Sequence, residues 1–299
     1  MRLCDLTYRK RPIIGVRIEK GMVNFTEALH TYYFVKKNRL SFRIESLFEL
    51  VQRELFERQT ILHVLDFLES HDLWQNYLIP EEVQMRAPFR QTGKIICLGR
   101  NYAAHAQETG NAPPKEPILF VKTRSTLIAS GEAIVIPRDA GRVDHEIELA
   151  VVIGKKAKSV TRAQALAYVA GYTIFNDVTA RSLQKQDIET KKPWYRSKNF
   201  DTFGPIGPCV VTADEFGFPP ELELELRVNG EVRQHANTRD MIFDVPTLIE
   251  TISHWITLEP GDIISTGTPE GISELHPGDR VEAEIKGIGI LENPVQAAE

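Results

Sequence analysis

Apolar residues recur at helical spacing in the first third of the chain. Across residues 42–68, from Phe42 onward, they recur three, four or seven positions apart among charged side chains, at Ile44, Leu47, Val51, Leu55, Leu62 and Leu65. This spacing predicts one long amphipathic helix or two consecutive ones. The stretch before it, residues 12–34, is typical of short strands and turns.

Later in the chain the pattern changes to short apolar segments separated by glycine and proline. These segments predict strands at residues 94–98, 134–136, 147–153, 172–175, 222–228, 263–265 and 281–285. Two helices are predicted among them, at 161–170, with Thr161 and Gly171 as caps, and at 245–255. This order favours a rolled or sandwiched mixed sheet over alternating βαβ units.

A polar segment that contains proline, residues 85–93, separates the two patterns, and we predict a domain boundary near residue 90. Residues 1–90 are expected to form a small N-terminal α+β domain. Residues 91–299 are expected to form a larger, β-rich α+β domain built on the mixed β-roll or sandwich.

Composition narrows the class of function. The chain has 299 residues, 36 basic against 41 acidic, and a formal net charge of −5. This mild acidity argues against a nucleic-acid or membrane surface and favours small-molecule chemistry. Because no apolar run reaches the roughly 18 residues of a membrane span and the polar start lacks a secretory core, we expect a cytoplasmic protein. Motifs of dinucleotide, P-loop, zincin and serine-hydrolase sites are absent.

Carboxylates dominate the most informative segment, which runs from Asp144 to Gly154. In a strand, Glu146 and Glu148 project from the same face, where two neighbouring anions need a compensating positive charge. Asp177, just after the next predicted strand, adds a third carboxylate. Three carboxylates suit Mg²⁺ or Mn²⁺, with Ca²⁺ as a further option. The alternative is a strand with one solvated face, on which alternating glutamates are common.

A second candidate site follows the strand at 94–98. Asn101 and Gly110 are plausible caps of a short helix that places His105 and Glu108 one turn apart. A carboxylate beside an imidazole raises its basicity, which suits the pair to remove a proton from water or from a carbon acid. A simple pair of residues on a surface helix is the alternative.

Four segments in this order, LGRNYAAHAQE, DHEIELAVVIG, FNDVTARSLQ and STGTPEG, resemble the fumarylacetoacetate hydrolase family, over about residues 94–295. The likeness is to acylpyruvase-like and 2-hydroxyhepta-2,4-diene-1,7-dioate isomerase-like members. It implies the mixed β-roll fold and a homodimer that acts on a small 2-oxo acid. Glu146, Glu148 and Asp177 match the metal carboxylates, and His105 with Glu108 matches the catalytic dyad.

The same resemblance assigns four further residues. It implies that Lys198 stabilises developing negative charge, and that the substrate is contacted by Arg181, Gln184 and Thr268. The sequence departs from the family at Lys122-Thr123, where relatives often have lysine and proline. No aspartate occupies residues 97–104, where the fumarylacetoacetases themselves have an additional metal ligand. The first 90 residues resemble the variable N-terminal domain of larger members.

We therefore predict a divalent-metal-dependent enzyme that acts on 2-oxo or 1,3-dicarbonyl acids, with hydrolytic carbon–carbon cleavage as the leading reaction. Decarboxylation of an oxaloacetate-like acid and isomerisation are the alternatives, because all three reactions pass through an enolate that a metal ion and Lys198 could stabilise. A metabolite-binding protein that retained the pocket without catalysis is the rival class.

Overall fold

A computed structural model describes residues 1–36, 43–80 and 83–299. Its strands are β1 Arg2–Tyr8, β2 Arg11–Ile18, β3 Gly21–Asn24, β4 Leu78–Ile79, β5 Gln84–Met85, β6 Ile95–Gly99, β7 Ile118–Lys122, β8 Leu127–Ile128, β9 Ile134–Ile136, β10 Val143–Asp144, β11 Ile147–Ile153, β12 Val169–Asn176, β13 Thr179–Ala180, β14 Gly204–Thr212, β15 Glu223–Val228, β16 Glu231–Asn237, β17 Ile263–Ser265, β18 Arg280–Ile285 and β19 Gly289–Ala297. Its α-helices are α1 Phe25–Val35, α2 Leu47–Gln52, α3 Arg58–Ser70, α4 Trp74–Tyr77, α5 Ala103–Glu108, α6 Arg181–Glu189, α7 Tyr195–Lys198 and α8 Val245–Trp255. Short 3₁₀ helices lie at Arg124–Thr126, Arg162–Tyr168, Ala213–Glu215 and Thr238–Asp240.

Most strands belong to one mixed sheet. Its order is β4-β3-β2-β1-β14-β12-β11-β17-β6-β7, with β5 beside β1 and β8 beside β14. A five-stranded sheet, β16-β15-β18-β19-β9, and the pair β10-β13 complete the β structure. The predicted β-rich α+β class with a mixed sheet is confirmed. Because β1 pairs with β14, the residues before and after position 90 share the large sheet, and the boundary near residue 90 stays a prediction.

The strand that carries Glu148 is covered on both faces. On one face Ile147, Leu149 and Val151 pack in a core that includes Leu224 of the five-stranded sheet. On the other, Ala150 and Val152 pack in a second core with residues of α1, α2 and α3. The alternative of a strand with a solvated face is therefore wrong for β11, because a second layer of structure lies against each side of the sheet.

The two helices predicted in residues 42–68 are confirmed as α2 and α3, although Phe42 lies outside the described residues. The interpretation of residues 12–34 as strands and turns holds for β2 and β3 but is wrong for α1. There Asn24 caps the helix by accepting a hydrogen bond from Glu27 N at 3.2 Å, and Ala28 and Leu29 bury its inner face.

Gly171 does not end a helix, contrary to the sequence prediction. Residues 162–168 form a 3₁₀ helix that Thr161 and Gln164 cap, and Gly171 already lies within β12. A Cβ at this position would come within 2.2 Å of the Val211 carbonyl oxygen on the neighbouring strand. Glycine is thus needed here for a close approach of two strands rather than for a helix cap.

Helix α8 has the predicted bounds. Asp244 is its N-cap residue, whose carboxylate accepts a hydrogen bond from Thr247 N at 3.1 Å. It packs on the same core as β11 through Leu248, Ile249 and Ile252. Across residues 1–36, 43–80 and 83–299, no helix combines the length and the apolar character that a membrane crossing requires.

The buried carboxylate of Asp5 in β1 contacts the first residue of α2. Its Oδ1 accepts from Leu47 N at 2.8 Å, and burial raises the pKa of this carboxyl to about 7. A pKa raised on folding contributes stability at low pH that is lost as the pH rises through the folded-state value. Asp5→Asn keeps an oxygen acceptor but cannot ionise. We expect the unfolding free energy of the variant, minus that of the wild type, to be about 2 kcal/mol larger at pH 8 than at pH 5.

Urea unfolding of both proteins at the two pH values measures this difference. Asp139→Asn, at an exposed aspartate, is the matched control and should show no such pH dependence. A gain that is equal at pH 5 and pH 8 would contradict a charge-dependent penalty at Asp5.

Candidate active site

Three carboxylates converge where β11 begins and β12 ends. These strands are antiparallel, with Ile147 opposite Asn176, so Glu146 and Asp177 are brought together and Asp177 N donates to Glu146 O at 2.9 Å. Oxygen atoms of Glu146, Glu148 and Asp177 lie within 4.8 Å of one another, and all three residues are buried. The structure therefore brings together the three predicted metal ligands.

Buried cations balance two of these carboxylates. Lys198 Nζ lies 2.9 Å from Glu146 Oε2 and 2.6 Å from Asp177 Oδ2. Lys122 Nζ lies 2.7 Å from Asp177 Oδ1, and Arg181 pairs with Glu146 Oε1. Burial alone would raise the pKa of Glu146, but Lys198 and Arg181 hold that pKa far below its usual range. Glu146 thus remains ionised in a buried position.

Glu148 is held differently. Its Oε2 accepts from Ser265 Oγ at 2.5 Å and from Gly267 N at 2.8 Å, whereas its Oε1 is buried with no hydrogen-bond partner among the described residues. Burial, reinforced by Asp177 and Glu146, raises the pKa of Glu148 well above its usual value. An oxygen that lacks a partner beside two other carboxylates is the arrangement that a hard divalent cation satisfies, so the donor set fits Mg²⁺ or Mn²⁺.

Arg181 and Gln184, the predicted substrate contacts, lie together at the start of α6. Arg181 donates to Gln184 Oε1 at 2.5 Å and, through Nε, to Asp144 Oδ2 at 2.9 Å. Asp144 is fully buried and also accepts from Arg142 Nε at 2.7 Å. Asp144 shares the alternation of Glu146 and Glu148 but lies at the entrance of the strand, where the sequence predicts a turn or a supporting role rather than a metal ligand. Its role is to hold the guanidinium of Arg181 in place.

The predicted dyad is also formed. His105 Nδ1 lies 3.2 Å from Glu108 Oε2, and Glu108 Oε1 accepts from Gly271 N at 3.0 Å. Burial would raise the pKa of Glu108, but the bonds from His105 and Gly271 bring it below its usual value. Glu108 is therefore the ionised acceptor, and an Nδ1 proton directed at it leaves Nε2 as the basic nitrogen of His105.

Asn101 does not cap this helix, contrary to the sequence prediction. Tyr102 is the N-cap residue of α5, and the amide of Asn101 donates to Thr266 O at 2.7 Å and to Phe243 O at 3.0 Å. It thereby joins the segment before the helix to the segment after β17. A polar residue next to a helix start can serve tertiary packing equally well, and only the three-dimensional contacts distinguish the two roles.

Thr268 lies on the same segment as Gly267 and Gly271. Its hydroxyl donates to Ile147 O at 2.9 Å and accepts from Gln234 Nε2 at 2.8 Å. The buried His145 contacts Gln234 Oε1 at 3.0 Å and Ser273 Oγ at 2.8 Å, so it supports this segment and is not a metal ligand. Gln234, which comes from β16, was not assigned from the sequence because no local pattern marks it.

A cavity of about 510 Å³ opens onto the site. Seven of the nine predicted site residues line it, namely His105, Glu108, Glu146, Arg181, Gln184, Lys198 and Thr268. Glu148 and Asp177 are fully buried and do not line it. Trp194 and Phe120 form an apolar part of the wall, with ring centroids 5.7 Å apart. The dyad, the cationic groups and Glu146 of the acidic cluster therefore line a common space.

Residues 94–296 match the family model described as "Fumarylacetoacetate (FAA) hydrolase C-terminal". A mitochondrial oxaloacetate tautomerase of Rattus norvegicus is 42% identical over 226 residues, which are 73% of this chain and 71% of that protein. The match to the family model covers the residues, about 94–295, that carry the resemblance.

Two solved structures show the same architecture. A fumarylacetoacetate hydrolase from Exiguobacterium antarcticum is 33% identical, with a TM-score of 0.81 and coverage of 100% of both chains. A fumarylpyruvate hydrolase from Pseudomonas aeruginosa, in complex with Mn²⁺ and pyruvate, is 34% identical, with a TM-score of 0.67, 73% of this chain covered and 93% of that chain. Relatives with different named activities thus share this fold.

The acidic cluster predicts how Mn²⁺ binding responds to substitution. Glu148→Gln and Asp177→Asn each remove a charged oxygen donor, and we expect each to weaken Mn²⁺ binding by at least about 100-fold in calorimetric titration. Ser265→Ala removes only the hydroxyl that orients Glu148 and should weaken binding by roughly tenfold. Glu231→Gln, at an exposed glutamate, is the control. Unchanged affinity in both Glu148→Gln and Asp177→Asn would exclude this cluster as the metal site.

Proposed function

Because the chain belongs to the fumarylacetoacetate hydrolase family, we propose that it is a divalent-metal-dependent hydrolase that cleaves a carbon–carbon bond of acylpyruvates or similar 2,4-dioxo acids. The observation that carries the proposal is the shared cavity, in which the His105–Glu108 pair faces the cations and Glu146 beside the acidic cluster. A base and a cluster of positive groups around one space are what hydrolysis through an enolate requires.

Glu146, Glu148 and Asp177 would hold the ion, which we propose to be Mg²⁺ or Mn²⁺. Support comes from the partnerless Oε1 of Glu148 and from the Pseudomonas relative, whose structure contains Mn²⁺. A bound divalent ion supplies a Lewis acid for the 2-oxo and carboxylate oxygens of the substrate.

His105 is the general base of the proposed reaction. Its Nε2 takes a proton from water, and the resulting hydroxide attacks the carbonyl carbon at position 4 of the substrate. The C3–C4 bond then breaks, its electron pair forms the enolate of pyruvate, and C3 takes up the proton that His105 Nε2 removed from water. The products are pyruvate and the carboxylic acid of the acyl group. Glu108, fixed by Gly271 N, keeps the imidazole oriented and stabilises its protonated form.

Lys198 stabilises the negative charge that develops in this reaction. Its neighbours Asp177 and Glu146 raise the pKa of its ammonium group despite burial, so it stays a cation at neutral pH. Arg181, Gln184 and Thr268 line the cavity and bind the substrate. Because Arg181 is fixed by Asp144, its guanidinium is pre-organised for a carboxylate.

Oxaloacetate tautomerisation is the second candidate, favoured by the rat relative at 42% identity. In this reaction His105 would transfer the proton at C3 of oxaloacetate, and no water would be cleaved or consumed. Decarboxylation of the same acid remains a further alternative, and a metabolite-binding protein without turnover remains the rival class. Homodimer formation and a cytoplasmic location remain predictions.

A panel of acetylpyruvate, oxaloacetate and its enol form, assayed with Mn²⁺ and again after EDTA, tests these candidates. We expect metal-dependent release of pyruvate and acetate from acetylpyruvate. His105→Ala should lower this rate by roughly 10²- to 10⁴-fold, since it removes the general base. His63→Ala, at an exposed histidine that does not line the cavity, is the matched control.

Each alternative has its own result in the same assay. Faster enol–keto conversion of oxaloacetate without cleavage of acetylpyruvate would replace the hydrolase proposal by tautomerisation. Release of CO₂ that persists in His105→Ala would indicate decarboxylation. Binding without turnover of any acid would support the metabolite-binding class.

A further inference from the structure

The three cysteines of the chain lie in two different cores and are all free thiols. Cys4 of β1 and Cys209 of β14 pack in the core that also contains Leu149 of β11. Cys97 of β6 packs in the core on the opposite face of the large sheet, together with Ala150 of β11. The sheet therefore separates Cys97 from the other two cysteines, whereas Cys4 and Cys209 share one face.

The strand register places Cys4 and Cys209 opposite each other. β1 and β14 are antiparallel with Leu3 opposite Val210, so the next pair of positions is Cys4 and Cys209. Residues directly opposite in an antiparallel pair have Cα atoms about 4.5–5.5 Å apart, which lies within the range of about 4.4–6.8 Å that a disulfide spans. On the other neighbouring strand Cys4 is opposite Gly15, which has no side chain. The cross-strand side chain that Cys4 meets is therefore that of Cys209.

The two thiols differ in acidity. The hydrogen bond between them lowers the pKa of Cys209 and raises the pKa of Cys4. Burial raises the pKa of Cys4 further, whereas at Cys209 the charges of Arg2 and Arg17 oppose the effect of burial. The Cys209 thiol also donates to Ile288 O at 3.2 Å, which fixes its position. Cys209 is thus the thiol that ionises first, and the thiolate is the form that reacts with oxidants.

Cys4 and Cys209 are each 5% exposed, whereas Cys97 is fully buried. Such a small opening favours a small oxidant over a bulky one. We propose that Cys4 and Cys209 are a site of reversible oxidation, at which hydrogen peroxide forms a disulfide between β1 and β14. This modification site is independent of the proposed function, because neither cysteine lines the cavity of the candidate active site.

The chemistry of this step balances. The Cys209 thiolate attacks one oxygen of hydrogen peroxide, the O–O bond breaks, and the departing hydroxide takes up a proton to become water. The sulfur of Cys4 then displaces the hydroxyl group of the resulting sulfenic acid as a second water, and the S–S bond forms. Both sulfur atoms are oxidised, both peroxide oxygens are reduced, and the two thiol protons end in water.

Peptide mapping of the folded wild-type protein tests the proposal. The full chain is treated with a slight excess of hydrogen peroxide, its remaining thiols are alkylated in urea, and the peptides are analysed by mass spectrometry. We expect the three thiols to fall to one, with a linked pair of peptides that contains Cys4 and Cys209 and lacks two hydrogen atoms. Dithiothreitol should restore all three thiols. Retention of all three thiols after peroxide, or a disulfide that contains Cys97, would overturn the proposal.

Cys97→Ala is the matched control, since it keeps both partners and should lose both of its thiols to the same disulfide. Cys4→Ala and Cys209→Ala each lack one partner, so neither should form a disulfide within the chain. A disulfide within the chain in either variant would contradict the assignment of the pair. Should these variants fail to fold, the peptide map of the wild type still decides the question.

Urea unfolding tests whether the bond forms between strands that stay in their native register. A disulfide between residues 4 and 209 closes a long loop of the unfolded chain, so oxidation should raise the urea midpoint by at least about 0.3 M. The measurement uses Cys97→Ala, in which no third thiol can exchange with the bond, with and without dithiothreitol. An equal or lower midpoint after oxidation would show that the strands must move to make the bond, and would contradict the cross-strand geometry.

Discussion

The site depends on the compensation of buried negative charge. Glu146, Glu148 and Asp177 lie in the interior because β11 and β12 are covered on both faces, and burial alone would force such groups to be neutral. Lys122, Lys198 and Arg181 form ion pairs with two of them, whereas Glu148 has only neutral donors and one oxygen without a partner among the described residues. This unequal distribution leaves Glu148 as the position where additional positive charge is most favourable.

The arrangement of layers explains how residues distant in sequence meet. Antiparallel pairing of β11 and β12 joins Glu146 to Asp177, and pairing of β17 with β11 brings Ser265 and Gly267 to Glu148. The parallel pairing of β6 with β17 places α5, which follows β6, near the same edge. The acidic cluster thus lies at strand ends, since Glu146 precedes β11, Glu148 is the second residue of β11 and Asp177 follows β12.

Much of this could be predicted from the sequence, and the remainder has identifiable causes. The acidic residues and the dyad follow from strand alternation, helical spacing and ordered motifs, which are local signals. Asp144 and Gln234 act through partners 37 and 34 residues away, Arg181 and Thr268. Strand alternation indicates Asp144 but not its partner, and no local pattern indicates Gln234. The predictions at α1 and at Gly171 of β12 are wrong because tertiary contacts override local propensity there.

Residues 265–271, at the end of β17 and after it, contact both the acidic cluster and the dyad. Ser265 and Gly267 hold Glu148, Thr268 lines the cavity, and the amide of Gly271 fixes Glu108. A shift of this backbone would misalign the acidic cluster and the base together, so the two halves of the chemistry cannot be retuned separately from here.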